Sequence, residues 1–159
     1  MTIVPVTALT YTKLPRKWWL LPLKYPYQLD HDLIDDLAHG WAQTSRKYLF
    51  CTKTKKGGEI ILGSLHRGRF TIFSAYRSDG ATYAPDFRKI MRGVFFHDLM
   101  CQFAAVKNSP FTREEADLLF YDHMDLVNFR LKSAYFAGVR FGAEFLTTAP
   151  DPNLYIRIL

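Results

Sequence analysis

The chain reads as an α+β domain in which an N-terminal arm and a small antiparallel β-sheet precede an antiparallel helix core. Three features predict this order. Prolines 5, 15, 22 and 26 interrupt the start of the chain, short β-rich runs punctuated by glycine follow, and from residue 86 onward apolar residues recur at helical spacing. At 159 residues and 48% hydrophobic content, the chain can bury about 70% of its extended surface as a single domain, residues 1–159.

Residues 1–29 are expected to form an extended arm with short strands, because the prolines exclude a long helix. Within it, Arg16-Lys17-Trp18-Trp19-Leu20-Leu21 sets cations beside tryptophans, which suits core packing, a partner surface or an anionic membrane surface. Residues 30–85 predict a short helix and a β-meander. The helix covers residues 30–41, where Leu33, Ile34 and Leu37 fall at three-and-four spacing, acids crowd the first turn and Gly40 is the stop. His31, Asp35 and His39 recur every four residues, but Asp32 and Asp36 beside them make this a solvated face rather than a metal site. The meander takes residues 47–52, 59–62 and 69–76, with Lys55-Lys56-Gly57-Gly58 as a turn.

Residues 86–147 predict three helices. The first ends near Phe103, and the second opens at Thr112, which forms a capping box with Glu115, and runs to about Val127. The third covers residues 129–146, with Leu131, Tyr135, Val139 and Gly142 facing inward and Ala134, Gly138 and Gly142 leaving a groove for a close neighbour. Residues 148–159 read as a C-terminal tail.

Charge and cysteine usage exclude some classes of function. The net charge of +6 favours acidic partners, but no helix-turn-helix, zinc-finger spacing or RNA-binding aromatic motif accompanies it, so sequence-specific nucleic-acid binding is not expected. Cys51 and Cys101 lie in separate apolar runs and read as two free, buried thiols of a reducing compartment, with a single bridge between them as the alternative. No secretory signal or membrane-spanning run is expected.

The candidate chemistry lies in the helical half. His97 and Asp98 fall inside the apolar stretch around Phe95, Phe96 and Leu99, and Asp117 opens the apolar stripe Asp117, Phe120, Tyr121, Met124 of the next helix. An unpaired buried charge costs several kcal/mol, so these residues should pair or hold a cation. A carboxylate on one imidazole nitrogen fixes the tautomer and frees the other nitrogen as a base. Asp98 and the loop carrying Asp79 and Gly80 could supply oxygen ligands to a hard cation.

The series Asp79-Gly80-Ala81-Thr82, His97-Asp98-Leu99, Arg113 to Phe120 with Met124, and Tyr135 to Gly142 resembles an uncharacterised phage and prophage family, domain of unknown function 1353. That resemblance implies a bacteriophage origin, in host cytoplasm or virion. The helical half also resembles the phospholipase A2 superfamily. There the pattern implies His97 as the water-activating base, Asp117 as its orienting acid, Tyr135 on the same network, and calcium on Asp98 with Asp79 and Gly80. The glycine-rich, cysteine-containing calcium loop and the disulfides of secreted members are missing.

Two functions follow as expectations. One is a phage accessory ester hydrolase using the His–Asp pair and a hard cation. The other is a non-enzymatic tail, head or assembly component, docking other phage structural proteins through the N-terminal arm, with the His and Asp residues as a buried network. An open cleft beside His97 would favour the first. An inhibitor of a host defence protein is a third.

Overall fold

The computed structural model describes residues 2–14, 27–80, 87–145 and 149–159. Along the chain come β1 (Ile3–Pro5), β2 (Tyr11–Lys13), β3 (Tyr27–Leu29), β4 (Leu33–Leu37), β5 (Tyr48–Lys53), β6 (Glu59–His66), β7 (Arg69–Ile72) and β8 (Arg77–Ser78). The helices α1 (Met91–Phe103), α2 (Arg113–Leu126) and α3 (Lys132–Phe145) follow, and β9 (Leu154–Ile158) closes the order. All strand pairings are antiparallel: a six-stranded sheet in the order β1-β4-β7-β6-β5-β9, and a three-stranded sheet β2-β3-β8. The fold is α+β.

The hairpins form where turn chemistry allows them. Gly57 takes φ +80° between β5 and β6, where the Thr54 amide donates to the Gly58 carbonyl at 2.8 Å. Arg67 and Gly68, at φ +48° and +80°, make the two-residue link from β6 to β7 that matches strand twist. Gly63 on β6 is required by close packing, since a Cβ there would lie 2.6 Å from the Thr71 carbonyl oxygen and 3.0 Å from Leu99 Cδ2.

α1 is apolar on nearly every side because it is the central element. Phe96 meets Phe70 of the large sheet, Phe103 meets Phe50, and Phe95 lies against Tyr11 and Tyr76 beside the small sheet. Its remaining face takes α2, whose start is the expected capping box: the Glu115 amide donates to Thr112 Oγ1 and the Thr112 amide to the Glu115 carboxylate. The two helices approach at Gly93, where a Cβ would sit 2.7 Å from the Cβ of His123 and 3.0 Å from the Phe120 ring.

Three expectations are corrected. Residues 30–41 hold no α-helix: Leu33, Asp35 and Leu37 are buried while Ile34 and Asp36 are half-exposed, which is the alternation of a strand. Spacing alone could not exclude it, because Leu33, Ile34 and Leu37 suit both periods; the deciding fact is that Asp35 points inward. The C-terminal tail is a sixth sheet strand, with Phe50 opposite Ile156. The arm holds the short strands expected of it, β1 on β4 and β2 on β3, while residues 15–26, including Trp18 and Trp19, lie outside the described residues. On α3, nothing described approaches within 4 Å of a Cβ built at Gly138 or Gly142, and Leu131 is half-exposed, so the small-residue groove holds no described neighbour.

These contrasting glycines yield a prediction. Gly93→Ala should destabilise the protein by about 1–3 kcal/mol through overpacking of α1 against α2. Gly138→Ala should stabilise it by about 0.5–1 kcal/mol through helix propensity. Urea unfolding midpoints at constant slope measure both.

Candidate functional site

Two polar clusters line the faces of α2. The first was not legible as such in the sequence. Asp35 of β4 is completely buried, and its Oδ1 accepts from Arg92 Nε at 2.9 Å while its Oδ2 lies 2.7 Å from His123 Nε2. Arg92 also donates to the carbonyls of Thr7, at 2.7 Å, and Ile34, at 2.9 Å. The other nitrogen of His123 lies 3.0 Å from the Leu119 carbonyl, and the ring stacks on Phe96. Both ring nitrogens thus face an acceptor. Asp35 is therefore no part of a solvated face, and His31, which is exposed, and His39 do not join it. His39 instead meets Asp122 of α2 at 2.8 Å.

The second cluster contains the residues singled out from the sequence. His97 of α1 and Asp117 of α2 are both buried, with His97 Nε2 2.7 Å from Asp117 Oδ1. Arg113 Nε reaches the same oxygen at 3.2 Å, and Arg140 Nη1 of α3 reaches Oδ2 at 2.9 Å. Burial alone would raise the Asp117 carboxyl, but the His97 hydrogen bond and the two guanidinium groups outweigh it and hold it below its usual range. A carboxylate only accepts, so His97 Nε2 carries the proton of this bond. Burial also holds the imidazole below its ordinary range, against the pull of Asp117, and leaves it neutral at pH 7.

Asp98 faces the other way, toward the loop after β8. Ser78 Oγ donates to its carboxyl and accepts from the Gly80 amide at 3.1 Å. Burial, and then the neighbouring Asp79 carboxyl, push Asp98 well above the usual carboxylate range. Asp79, Gly80 and Asp98 thus meet at one place, while Ala81 and Thr82 lie outside the described residues. Tyr135 is buried with its ring against Phe129 and Phe87, and Arg140 of the same helix reaches Asp117. Cys101, one turn beyond His97, places its Sγ 3.4 Å from His97 Nε2. Both cysteines are free; Cys51 is buried and Cys101 partly so.

Sequence reasoning missed Arg92, His123, Arg113, Arg140 and Cys101. Only Arg113 carried a usable signal, its four-residue spacing before Asp117 on one helix. Among the described residues two shallow depressions, of about 360 Å³ beside Arg67 and Gly68 and about 340 Å³ between Lys107 and Tyr155, lie elsewhere and neither is lined by His97. No helix among the described residues is long and apolar enough to cross a membrane.

Both clusters can be tested by stability. Asp35→Ala should cost about 3–5 kcal/mol, because it leaves Arg92 and His123 buried without their shared acceptor. Asp98→Asn should do the reverse. With a folded-state pKa above the unfolded one, Asp98 weakens the fold progressively as pH rises between the two values, by about 1.4 kcal/mol for each unit between them. The amide retains the Ser78 bond without the charge, so the variant should melt higher than the parent at pH 7, with the gap closing near pH 3. Thermal melts across that range read it directly.

No family model matches the chain, and no curated protein or solved structure matches it. The likeness to the phage family and to phospholipase A2 therefore rests on the residues quoted for it.

Proposed function

We propose that this chain is a non-catalytic protein of bacteriophage type, a virion or assembly component, in which the His and Asp residues act as a structural lock. The observation that carries this reading is repetition. α2 joins its surroundings through three His–Asp pairs: Asp117 to His97 of α1, His123 to Asp35 of β4, and Asp122 to His39 in the segment after β4. The second pair lies sealed in the interior at 2% and 0% side-chain exposure, where no substrate could reach it. His97 and Asp117 are the same device on another face, at 10% and 0%. Asp117 is further held by two arginines, which suits a fixed strut better than a base whose strength depends on its acid.

One observation favours the hydrolase reading. His97 takes its acid through Nε2, and Asp98, the next residue of α1, meets Ser78 and Asp79, oxygen groups that a cation near a water-activating histidine would draw on.

One experiment separates the two. Phospholipid vesicles and a soluble aryl ester are offered to the parent and to His97→Gln, with and without calcium, while thermal melts follow both proteins. The lock predicts no turnover above blank by either protein and a lower melting temperature for the variant, by about 4–8 °C for a loss of about 2 kcal/mol. Calcium-dependent hydrolysis by the parent that vanishes in a folded His97→Gln would replace the lock with the enzyme.

A further inference from the structure

Cys101 is the member of the buried cluster that the lock does not use. His97 Nε2 points at two groups at once, Asp117 Oδ1 at 2.7 Å and Cys101 Sγ at 3.4 Å. One nitrogen carries one proton, and the carboxylate takes it. The thiol is left with a long contact to a nitrogen that has no lone pair to offer in that tautomer. A proton relay would place acid and nucleophile on opposite edges of the imidazole. Here nitrogen, sulfur and oxygen converge on one side, all within 4.8 Å of one another.

We propose that His97, Cys101 and Asp117 form a binding site for a zinc-class divalent cation that clamps α1 to α2. His97 and Cys101 stand four residues apart on one face of α1, and Asp117 faces them from α2. Bonds of about 2.0–2.3 Å from imidazole, thiolate and carboxylate suit a tetrahedral ion of borderline softness, with a fourth position for water. Calcium, which takes six to eight oxygen ligands, does not suit this set. Arg140, already on Asp117 Oδ2, would orient the ligating carboxylate from behind. On binding, the thiol proton leaves to solvent, the imidazole proton moves from Nε2 to Nδ1 and the nitrogen lone pair turns to the metal. The site stands whether the cluster is a lock or an active centre.

Cobalt(II) is the probe. Chelator-treated full-length protein titrated anaerobically should take up about one equivalent and develop a thiolate-to-cobalt absorption band in the near ultraviolet, which zinc then bleaches. Cys51→Ser should keep the band and Cys101→Ser should lose it. Should Cys101→Ser fail to fold, alkylation of the parent decides: zinc should slow modification of Cys101 at least tenfold and leave Cys51 unchanged. Absence of the band in the parent, its survival in Cys101→Ser, its loss in Cys51→Ser, or equal alkylation of Cys101 with and without zinc would each overturn the site.

Discussion

The carboxylate of Asp35 is the fixed point of this structure. It belongs to a strand of the large sheet, has no exposure to water, and is held by a guanidinium from α1 and an imidazole from α2. Three layers meet at one group. Moving such charges out of water costs several kcal/mol for each ion, and the interior recovers this only when every lone pair and every N–H is used. Arg92 also donates to the Thr7 and Ile34 carbonyls, which fastens the N-terminal segment against β4. The ionic centre therefore fixes position more than it adds net stability. Apolar surface such as the Phe50, Phe70, Phe96 and Phe103 group supplies the driving force, and the ion cluster selects a single register for it.

α2 carries this logic furthest. It has one apolar face for α1, closed down at Gly93, and polar contacts at both ends of that face. A helix packed by apolar contacts alone can slide by a turn at modest cost. Pairs at Asp117, Asp122 and His123, each with a partner on a different element, cannot all be kept after such a slide. Specificity of docking thus comes from directional bonds, on a surface whose hydrophobic part is permissive.

What the sequence revealed follows from the same distinction. The meander strands were legible because alternation and glycine turns are local signals, and α2 was legible because Thr112 and Glu115 announce its start. β4 was not, because an inward aspartate looks identical to a solvated one until its partners, fifty-seven and eighty-eight positions away, are known. The C-terminal strand was missed because its pairing with β5 is entirely non-local. His97 and Asp117 stood out because each interrupts an apolar helical stripe, whereas Asp35 sat among other acids and raised no contrast. Arg140 and Cys101 were hidden for opposite reasons: an arginine on a helix is unremarkable as a surface residue, and a cysteine in an apolar run is unremarkable as core.

Charge is distributed with a consistent sense. Among the described residues the fully buried carboxylates are aspartates, Asp35 and Asp117, and the arginines that meet them reach inward from the boundary, with side-chain exposures of 14% for Arg92, 35% for Arg113 and 31% for Arg140. This polarity follows from side-chain chemistry. Aspartate is short, so a backbone fixed by a strand or helix fixes its oxygens. Arginine is long and weakly hydrated, so it can bury its stem, present two or more N–H groups inward and keep part of its charge near water. Reversing the order, with arginine at the centre and aspartates at the rim, would leave five donors to satisfy in the interior with side chains too short to reach them. The arrangement also bears on the partner question. Arg113 and Arg140, the cations on Asp117, are committed to it, so part of the net charge of +6 is answered inside the fold at this cluster.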